Sequence, residues 1–491
     1  MPDTMILNPA DNVAILTARG IAPAGHKIAR DPIAAGAAVV KYGQIIGYAT
    51  ADIAAGEHVH SHNLAFGAHD RAHHPGQGLA AAQAALERHR GPALSFQGYH
   101  RAGGQVGTRN FIALVATVNC SATVIRRAAE ELRTEGALDA FPNVDGVAAF
   151  AHGTGCGMAD SGPGWRALQR VLTGHAGHPN VGAALFVGLG CEVMQIARMK
   201  QDLGEAARFH GLTIQDSGGT RATIEAIKAR VRRMLPEVNA ISRAPAPASA
   251  LKIGLQCGGS DGFSGITANP ALGLACDMLA AQGASVVLSE TPEIHGAERL
   301  LIDRVAEPAL ADKLLARLAW WEEYAAMNGA SLDNNPSPGN KAGGLTTILE
   351  KSLGAVAKAG ATPLNAVLDY AEPITAPGLN FMDTPGYDPV SATGQIAGGA
   401  QLIVFTTGRG SAFGSKPAPT IKLATNDRLF AAMRDDMDMN CGDVLSGVTL
   451  EEKGRQIVDL ILRTASGEET RSEALGLGDH EFLPWQIGAV L

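Results

Sequence analysis

Residues 251–261 read Leu-Lys-Ile-Gly-Leu-Gln-Cys-Gly-Gly-Ser-Asp. An apolar run ends at residue 255. The glycine turn after it carries the thiol of Cys257, the hydroxyl of Ser260 and the carboxylate of Asp261. The run has the length of a buried strand, and the turn falls where an open α/β sheet places its ligands. The same figure recurs along the chain. Residues 112–118 lead to Asn119 and Cys120, residues 147–151 to His152 and Cys156, and residues 183–187 to Cys191 and Glu192. Residues 285–288 lead to Ser289 and Glu290, and residues 402–405 to a Thr-Thr-Gly-Arg-Gly turn bearing Arg409. Helical patterns alternate with these runs, so the chain from residue 111 onward reads as α/β layers with largely parallel sheets.

Upstream, strand patterns at 39–42, 44–49 and 57–66 are broken by Gly43 and Gly56 and read as a small β domain. A stretch rich in His, Gly and Ala follows and reads as a linker with one short helix. The run Ala244-Pro-Ala-Pro-Ala248 marks a boundary between two α/β domains. The expected organisation is a β domain over 1–68, a linker over 69–104, and α/β domains over 105–243 and 244–491. In the last, Leu310, Leu314, Leu318, Trp321 and Ala325 outline the apolar face of a helix that Gly329 stops.

Composition narrows the function. Apolar residues make up 46% and charged residues 18%, which predicts a folded core. The net charge of −8 argues against nucleic acid as a partner, because phosphate binding needs clustered Lys and Arg. It is compatible with a small anionic substrate, since a few local cations set the potential of a pocket. The 59 glycines exceed the roughly 34 that average usage would give, and suggest loops close to ligand. No apolar run reaches the roughly 20 residues that a membrane span takes. The first twenty residues lack the basic head and apolar core of a secretory signal, so a soluble, cytoplasmic protein is expected. The six Cys form no C-x-x-C pair, and without export their thiols should be free, buried or metal-bound.

Three sets of residues carry chemistry. Cys120, Cys156, Cys191 and Cys257 all follow strands, and three of them adjoin glycine. They lie too far apart in sequence for local ligation and can share a metal only through the fold. Cys276, within an apolar helical run, reads as core. Eight of the fifteen histidines lie between His58 and His100, and His58, His60 and His62 alternate. On a strand they would share a face and offer imidazoles to Fe, Zn or Mn. Finally, a Pro-restricted loop over 334–344 carries Asn340 and Lys341, and a Gly-set loop over 406–416 carries Arg409 and Lys416. Two basic loops in an acidic chain favour an anion site.

These stretches resemble the altronate/galactarate dehydratase family, which includes the large subunit of sulfolactate sulfo-lyase. The resemblance runs through HVHSHN at 58–63, NVDGVAAFAHGTGCG at 143–157, HPNVGAALFVGLGCE at 178–192 and QCGGSDGFSGITANPALG at 256–273. It continues through SETPEIHGAE at 289–298, NPSPGNKAGGLTTILEKSLGAV at 335–356, FMDTPGYDPVSATGQIAGGA at 381–400, TTGRGSAFGSKPAPTIKLATN at 406–426 and MDMNCG at 437–442. It implies an N-terminal SAF-like β-clip domain carrying His60 and His62, and α/β domains behind it. It also implies dehydration of a sugar acid to a 2-keto-3-deoxy acid, stimulated by Fe²⁺. The expected assembly is a homo-oligomer, a dimer.

β-Elimination of water needs a base, a cation for the enediolate, and an acid or metal for the departing hydroxide. On this reading Arg409 and Lys341 supply the cation, with Asn340, Ser260 and Asp261 at the substrate. Lys416, His295 and Glu290 are candidate bases. The metal is either mononuclear Fe²⁺, with Mn²⁺ as a substitute, on His60 and His62 with a carboxylate such as Glu192 or Asp261, or a [4Fe–4S] cluster on three of Cys120, Cys156, Cys191 and Cys257. A sulfo-lyase and a non-catalytic sugar-acid-binding protein are the alternatives.

Overall fold

The computed structural model describes residues 3–67, 73–204 and 208–488. Residues 68–72, where the expected β domain passes into the linker, lie outside the described residues.

The first body is all β. Thr4–Met5, Val13–Leu16, Lys27–Ala29 and His58–Val59 form one antiparallel sheet, and Ala38–Lys41, Gln44–Ala49 and Leu64–Ala65 another. Val13, Val39, Ile46, Ile53, Val59 and Leu64 are buried between them. The stretch 57–66 is not one strand. After Val59 the chain turns through 60–63, where Asn63 accepts the N–H of His60 at 2.9 Å and donates to the carbonyl of His58.

The expected linker is more ordered than its composition suggests. It holds the helix Leu79–Arg88 and the strands Ser95–His100 and Val106–Gly107. The Pro/Ala run is itself an edge strand, Arg243–Pro247, paired antiparallel with Ser95–His100. Proline is tolerated there because an edge strand leaves alternate N–H groups unpaired. The alternation is visible in burial, with Ala246 in the core and Pro245 and Pro247 exposed.

The second body is a four-stranded parallel sheet in the order Gly146–Phe150, Phe111–Ala116, Val181–Gly188, Phe209–Thr213. The period of two in Phe111–Ala116 divides its side chains between layers. Ile112, Leu114 and Ala116 pack with the helices Asn119–Thr134 and Thr220–Asn239. Phe111, Ala113 and Val115 pack with Gly162–Ala176 and Ile196–Leu203.

The third body is a seven-stranded parallel sheet. Its order is Leu364–Leu368, Gly378–Met382, Ser285–Leu288, Lys252–Cys257, Leu402–Thr407, Thr420–Ala424, Met439–Asn440. Ile253 and Leu255 face the helix Ala268–Ala281, while Gly254 lies against Gln395 of the helix Asp388–Ala397. The predicted amphipathic helix is Pro308–Met327, with Leu314, Leu318 and Trp321 buried. From Lys252–Cys257 the chain first builds outward to one edge, then returns to add Leu402–Thr407 and its neighbours on the other side. The crevice between the carboxyl ends of those two strands is therefore the topological switch point, where α/β sheets bind ligands. No helix among the described residues is long and apolar enough to cross a membrane.

Candidate active site

Three loops meet at that crevice. The N–H groups of Gly408 and Arg409 both donate to the carbonyl of Gly259, at 3.1 and 2.9 Å. The Asn340 amide donates to the carbonyl of Ser260 at 2.9 Å, and the N–H of Gly262 to Gly343 O at 2.8 Å. Ser260, Lys341 and Arg409 thus share one rim. Arg409 is exposed and Lys341 half-buried. Neither has an acidic partner among the described residues, which leaves both charges available to an anion. Asn340 and Asp261 are occupied by the rim itself. Asn340 Oδ1 accepts the N–H of Ser337 in a capping box. Asp261 Oδ1 accepts from Phe263, Ser264 and Thr425, and Oδ2 from Asn426.

Beneath the rim lies a buried polar cluster. Cys257 Sγ is 3.6 Å from Glu293 Oε2 and 4.0 Å from Glu290 Oε2. Lys351 Nζ donates to Glu293 Oε1 and to Asn335 Oδ1, both at 2.7 Å. Lys358 Nζ is 3.7 Å from Glu290 Oε2. Lys358 Nζ and Glu290 Oε1 are buried without hydrogen-bond partners among the described residues. Glu290 holds a left-handed backbone at φ 71°, uncommon for a residue with a side chain, and Thr384 Oγ1 accepts its N–H. Burial and the neighbouring Glu293 push the Glu290 carboxyl well above the ordinary carboxylate range. Burial drives the Cys257 thiol up to about 12, so the sulfur is protonated at neutral pH.

Asp388 joins the buried cluster to solvent. A methyl group at Gly258 would lie 2.4 Å from Asp388 Oδ2, so glycine is what lets this carboxylate close over the strand end. Asp388 is half-buried, and burial and Glu293 push it up to about 7. A carboxyl of that pKa can take or give a proton at neutral pH.

The histidines stand over the other side of the rim. The rings of His26, His58, His60 and His62 pack in a group with neighbouring centroids 5.1–5.5 Å apart. His60 Nε2 donates to the carbonyl of Lys341 at 2.8 Å, and His26 Nε2 to Ala342 O at 3.3 Å. A carbonyl only accepts, so both nitrogens carry hydrogen. His26 Nδ1 then accepts from His58 Nε2 at 3.0 Å. Burial lowers the pKa of His26, His58 and His60, that of His58 to about 4. The docking is reinforced below the surface, where Lys27 and Lys41 of the β body both donate to Glu350, at 2.8 and 2.9 Å.

Cys120, Cys156 and Cys191 lie elsewhere, exposed at the carboxyl edge of the second sheet, Cys156 and Cys191 on loops and Cys120 in the first turn of the helix Asn119–Thr134. Glu192 beside them is turned inward, accepting from Thr117 and from the N–H of Gly190.

Comparison with known proteins identifies this architecture. Residues 15–67 match the altronate/galactarate dehydratase SAF domain, residues 98–239 the D-galactarate dehydratase/altronate hydrolase second domain, and residues 248–490 the D-galactarate/altronate dehydratase C-terminal domain. Altronate dehydratase of Escherichia coli is 38% identical over 469 residues, 94% of this chain and 91% of that protein. The chain belongs to the altronate/galactarate dehydratase family. Galactarate dehydratase (L-threo-forming) of E. coli is 36% identical over 93% of this chain and 88% of its own length. The sulfolactate sulfo-lyase β subunit of Chromohalobacter salexigens is a more distant relative, 32% identical over 78% of this chain and 95% of that subunit. With these relatives and three family domains, the chain is an enzyme of the hydro-lyase type.

In this dehydratase the remaining sequence candidates fall outside the rim. Lys416 precedes the strand Thr420–Ala424 and so stands at the amino edge of the third sheet. It pairs with Asp479 at 2.6 Å and lines a cleft of about 780 Å³ with Arg109, Arg126 and Arg133. His295 lies 3.4 Å from Glu322 and shares a separate cleft with Phe66 and His73. The sequence reading passed over Glu293, Lys351, Lys358, Asp388 and His26. For Asp388 and Glu293 a signal was present: each lies in a Pro/Gly-marked turn just after a strand.

Proposed function

We propose that the enzyme removes water from a sugar acid such as altronate or galactarate, giving a 2-keto-3-deoxy acid. The observation that carries this reading is the pairing of two cations on the rim that have no acidic partner among the described residues, Lys341 and Arg409, with proton-active carboxyls at the same strand ends. The substrate carboxylate is placed on Arg409 and Lys341, where a guanidinium can hold it in a bidentate pair and both cations favour the enediolate. Asp388 takes the proton from C2. The electron pair of the C2–H bond moves into the C2–C3 bond as the C3–O bond breaks. Glu290, kept protonated by its surroundings, is assigned the proton that lets the hydroxide leave as water. The resulting enol gives its C2 hydroxyl proton to solvent and takes a solvent proton at C3. Two carboxyls with different environments thereby share acid and base work.

Iron is part of the proposal, and the side chains discriminate among the possible holders. The Nε2 atoms of His26 and His60 are spent on carbonyls, and their Nδ1 atoms lie on His58 and Ser61. Cys257, Glu290 and Glu293 have donor atoms within 4.8 Å of one another, but Lys351 already pairs with Glu293, and the Glu290 carboxyl and the thiol are held protonated. The free thiols of Cys120, Cys156 and Cys191 suit iron best. When bound, iron supplies a Lewis acid for an oxygen of the substrate.

Incubating the protein anaerobically with hexonates and hexarates, with iron added, tests the reading. A product lighter by one water supports it. Binding without turnover would favour a sugar-acid-binding protein, and release of sulfite from sulfolactate alone would favour a sulfo-lyase.

A further inference from the structure

We propose that Cys120, Cys156 and Cys191 hold an iron–sulfur cluster at the carboxyl edge of the second sheet, with one iron left without a protein ligand. The inference rests on the hydro-lyase reading only for what the cluster does, not for its existence.

The three thiols come from neighbouring strands. Gly146–Phe150, Phe111–Ala116 and Val181–Gly188 lie side by side, and each runs into a turn that leads to one of the cysteines, Cys120 standing in the first turn of the helix that follows. Those loops are tied to one another. The N–H of Asn119 donates to Thr154 O at 2.9 Å, and Thr117 Oγ1 to Glu192 Oε1 at 2.7 Å. The N–H of Val193 donates to Gly155 O at 3.2 Å. This last bond joins the two outer loops across the end of the central strand, so the three loops close into a ring. Gly155 makes the closure possible. Its φ is +100°, and a methyl group there would lie 2.3 Å from Thr117 O.

The chemistry of the set points to a cluster rather than a single ion or a disulfide. All three thiols are free and exposed, whereas Cys257, Cys276 and Cys441 are buried. Among the described residues, the only group of three donors within 4.8 Å of one another is Cys257 with Glu290 and Glu293. The three exposed sulfurs form no such group, and inorganic sulfide supplies the bridging atoms that a more open set of thiols needs. Thiolates are the usual cluster ligands, and Cys120 lies in the first turn of a sixteen-residue helix, which fixes the position of its side chain. Each thiol gives up its proton on binding, and ferrous iron and sulfide come from outside. Glu192 is held inward by Thr117 and Gly190, away from the shell of thiols.

The position also suits the proposed chemistry. The helices Gly162–Ala176 and Asp388–Ala397 pack together with their carboxyl ends in contact, since a methyl on Gly174 would lie 2.2 Å from Ala397 O. Nearer their amino ends, Arg166 and Asp383 line one small cavity. The loop of Cys156, just before the first helix, and Asp388, at the start of the second, therefore open toward the same side.

The test is anaerobic reconstitution of the full chain with ferrous iron and sulfide. The expected result is a broad visible absorption band, with iron and acid-labile sulfide bound in equal amounts. The triple variant C120S/C156S/C191S should lose at least about tenfold of both, while C276S keeps them. Wild-type protein that takes up iron without sulfide, or a triple variant that retains the wild-type content, would overturn the site. A second measurement does not depend on how the variant folds. Loading should protect these three thiols of the wild type from alkylation, and unchanged labelling of all three in loaded protein would overturn the proposal. Turnover of a sugar acid by iron-loaded, sulfide-free protein would overturn the cluster and leave the hydro-lyase reading standing. An intact cluster in a protein inert to every sugar acid would support the site and count against the substrate.

Discussion

The ammonium of Lys358 lies 3.7 Å from Glu290 Oε2, and both side chains are 1% exposed. The ammonium is sealed from water without a hydrogen-bond partner among the described residues, and the carboxyl beside it is held protonated by burial and by Glu293. Lys358→Met replaces that ammonium with an apolar side chain of similar length and should leave stability within about 1 kcal/mol of wild type or raise it. Glu290→Gln is close to isosteric and removes a proton donor instead. It should cut turnover by about 10²-fold or more while leaving the fold intact. Urea unfolding and steady-state kinetics on the two variants check this. Equal activity of Glu290→Gln and wild type would remove Glu290 from the reaction.

Asp388 must be ionised to take a proton. With its carboxyl pushed up to about 7, kcat/KM should rise with pH through that value and level off above it. Asp388→Asn should abolish this limb and lower the rate by about 10²–10⁴-fold. A pH profile of kcat/KM for both proteins provides the check.

Arg409 is exposed and carries no internal partner among the described residues, so its loss should spare stability. A charge-assisted hydrogen bond contributes about 1.5–3 kcal/mol, which sets the expected fall in kcat/KM for Arg409→Ala at roughly 10- to 150-fold. The thermal midpoint should be unchanged. Arg409→Lys should recover only part of the rate, because lysine lacks the planar fork.

Glu350 binds Lys27 and Lys41 across the junction of the β body with the third body. Glu350→Gln would leave two buried ammonium groups facing a neutral amide, at a cost of about 3–5 kcal/mol. The pH dependence follows from the same contact. Both lysines hold the Glu350 carboxyl far below the ordinary carboxylate range. Its folded pKa is thus depressed, and its contribution is complete above the unfolded value and lost as pH falls below it. Urea unfolding at neutral and acid pH should show wild type losing its advantage over Glu350→Gln as pH drops.

The sequence made the strand ends legible, and with them Cys257, Glu290, Ser260 and Arg409, because an apolar run followed by a glycine turn is a local pattern. It left Lys351 and Lys358 hidden. They lie in or just after a helix whose charged residues ordinarily face water, yet the helix Ile348–Val356 is buried throughout. Only partners far away in the chain reveal that placement: Glu293 for Lys351, Glu290 for Lys358. His26 was missed for the same reason, since its hydrogen bond to His58 spans 32 residues. The alternation of His58, His60 and His62 did put their rings in one group, but through a turn rather than along a strand. Asp261 shows the opposite case. Its position after a strand marks it as reactive, whereas five donors from the loops around it occupy its oxygens.

The central claim is elimination of water from a sugar acid by proton removal at C2. Running the reaction in D₂O with hexonates or hexarates and reading the product by NMR tests it most directly. The account predicts a 2-keto-3-deoxy acid carrying one solvent-derived deuterium at C3, formed by wild type and almost absent with Asp388→Asn. Recovery of every sugar acid unchanged, under conditions where the protein is folded and loaded with iron, would contradict it.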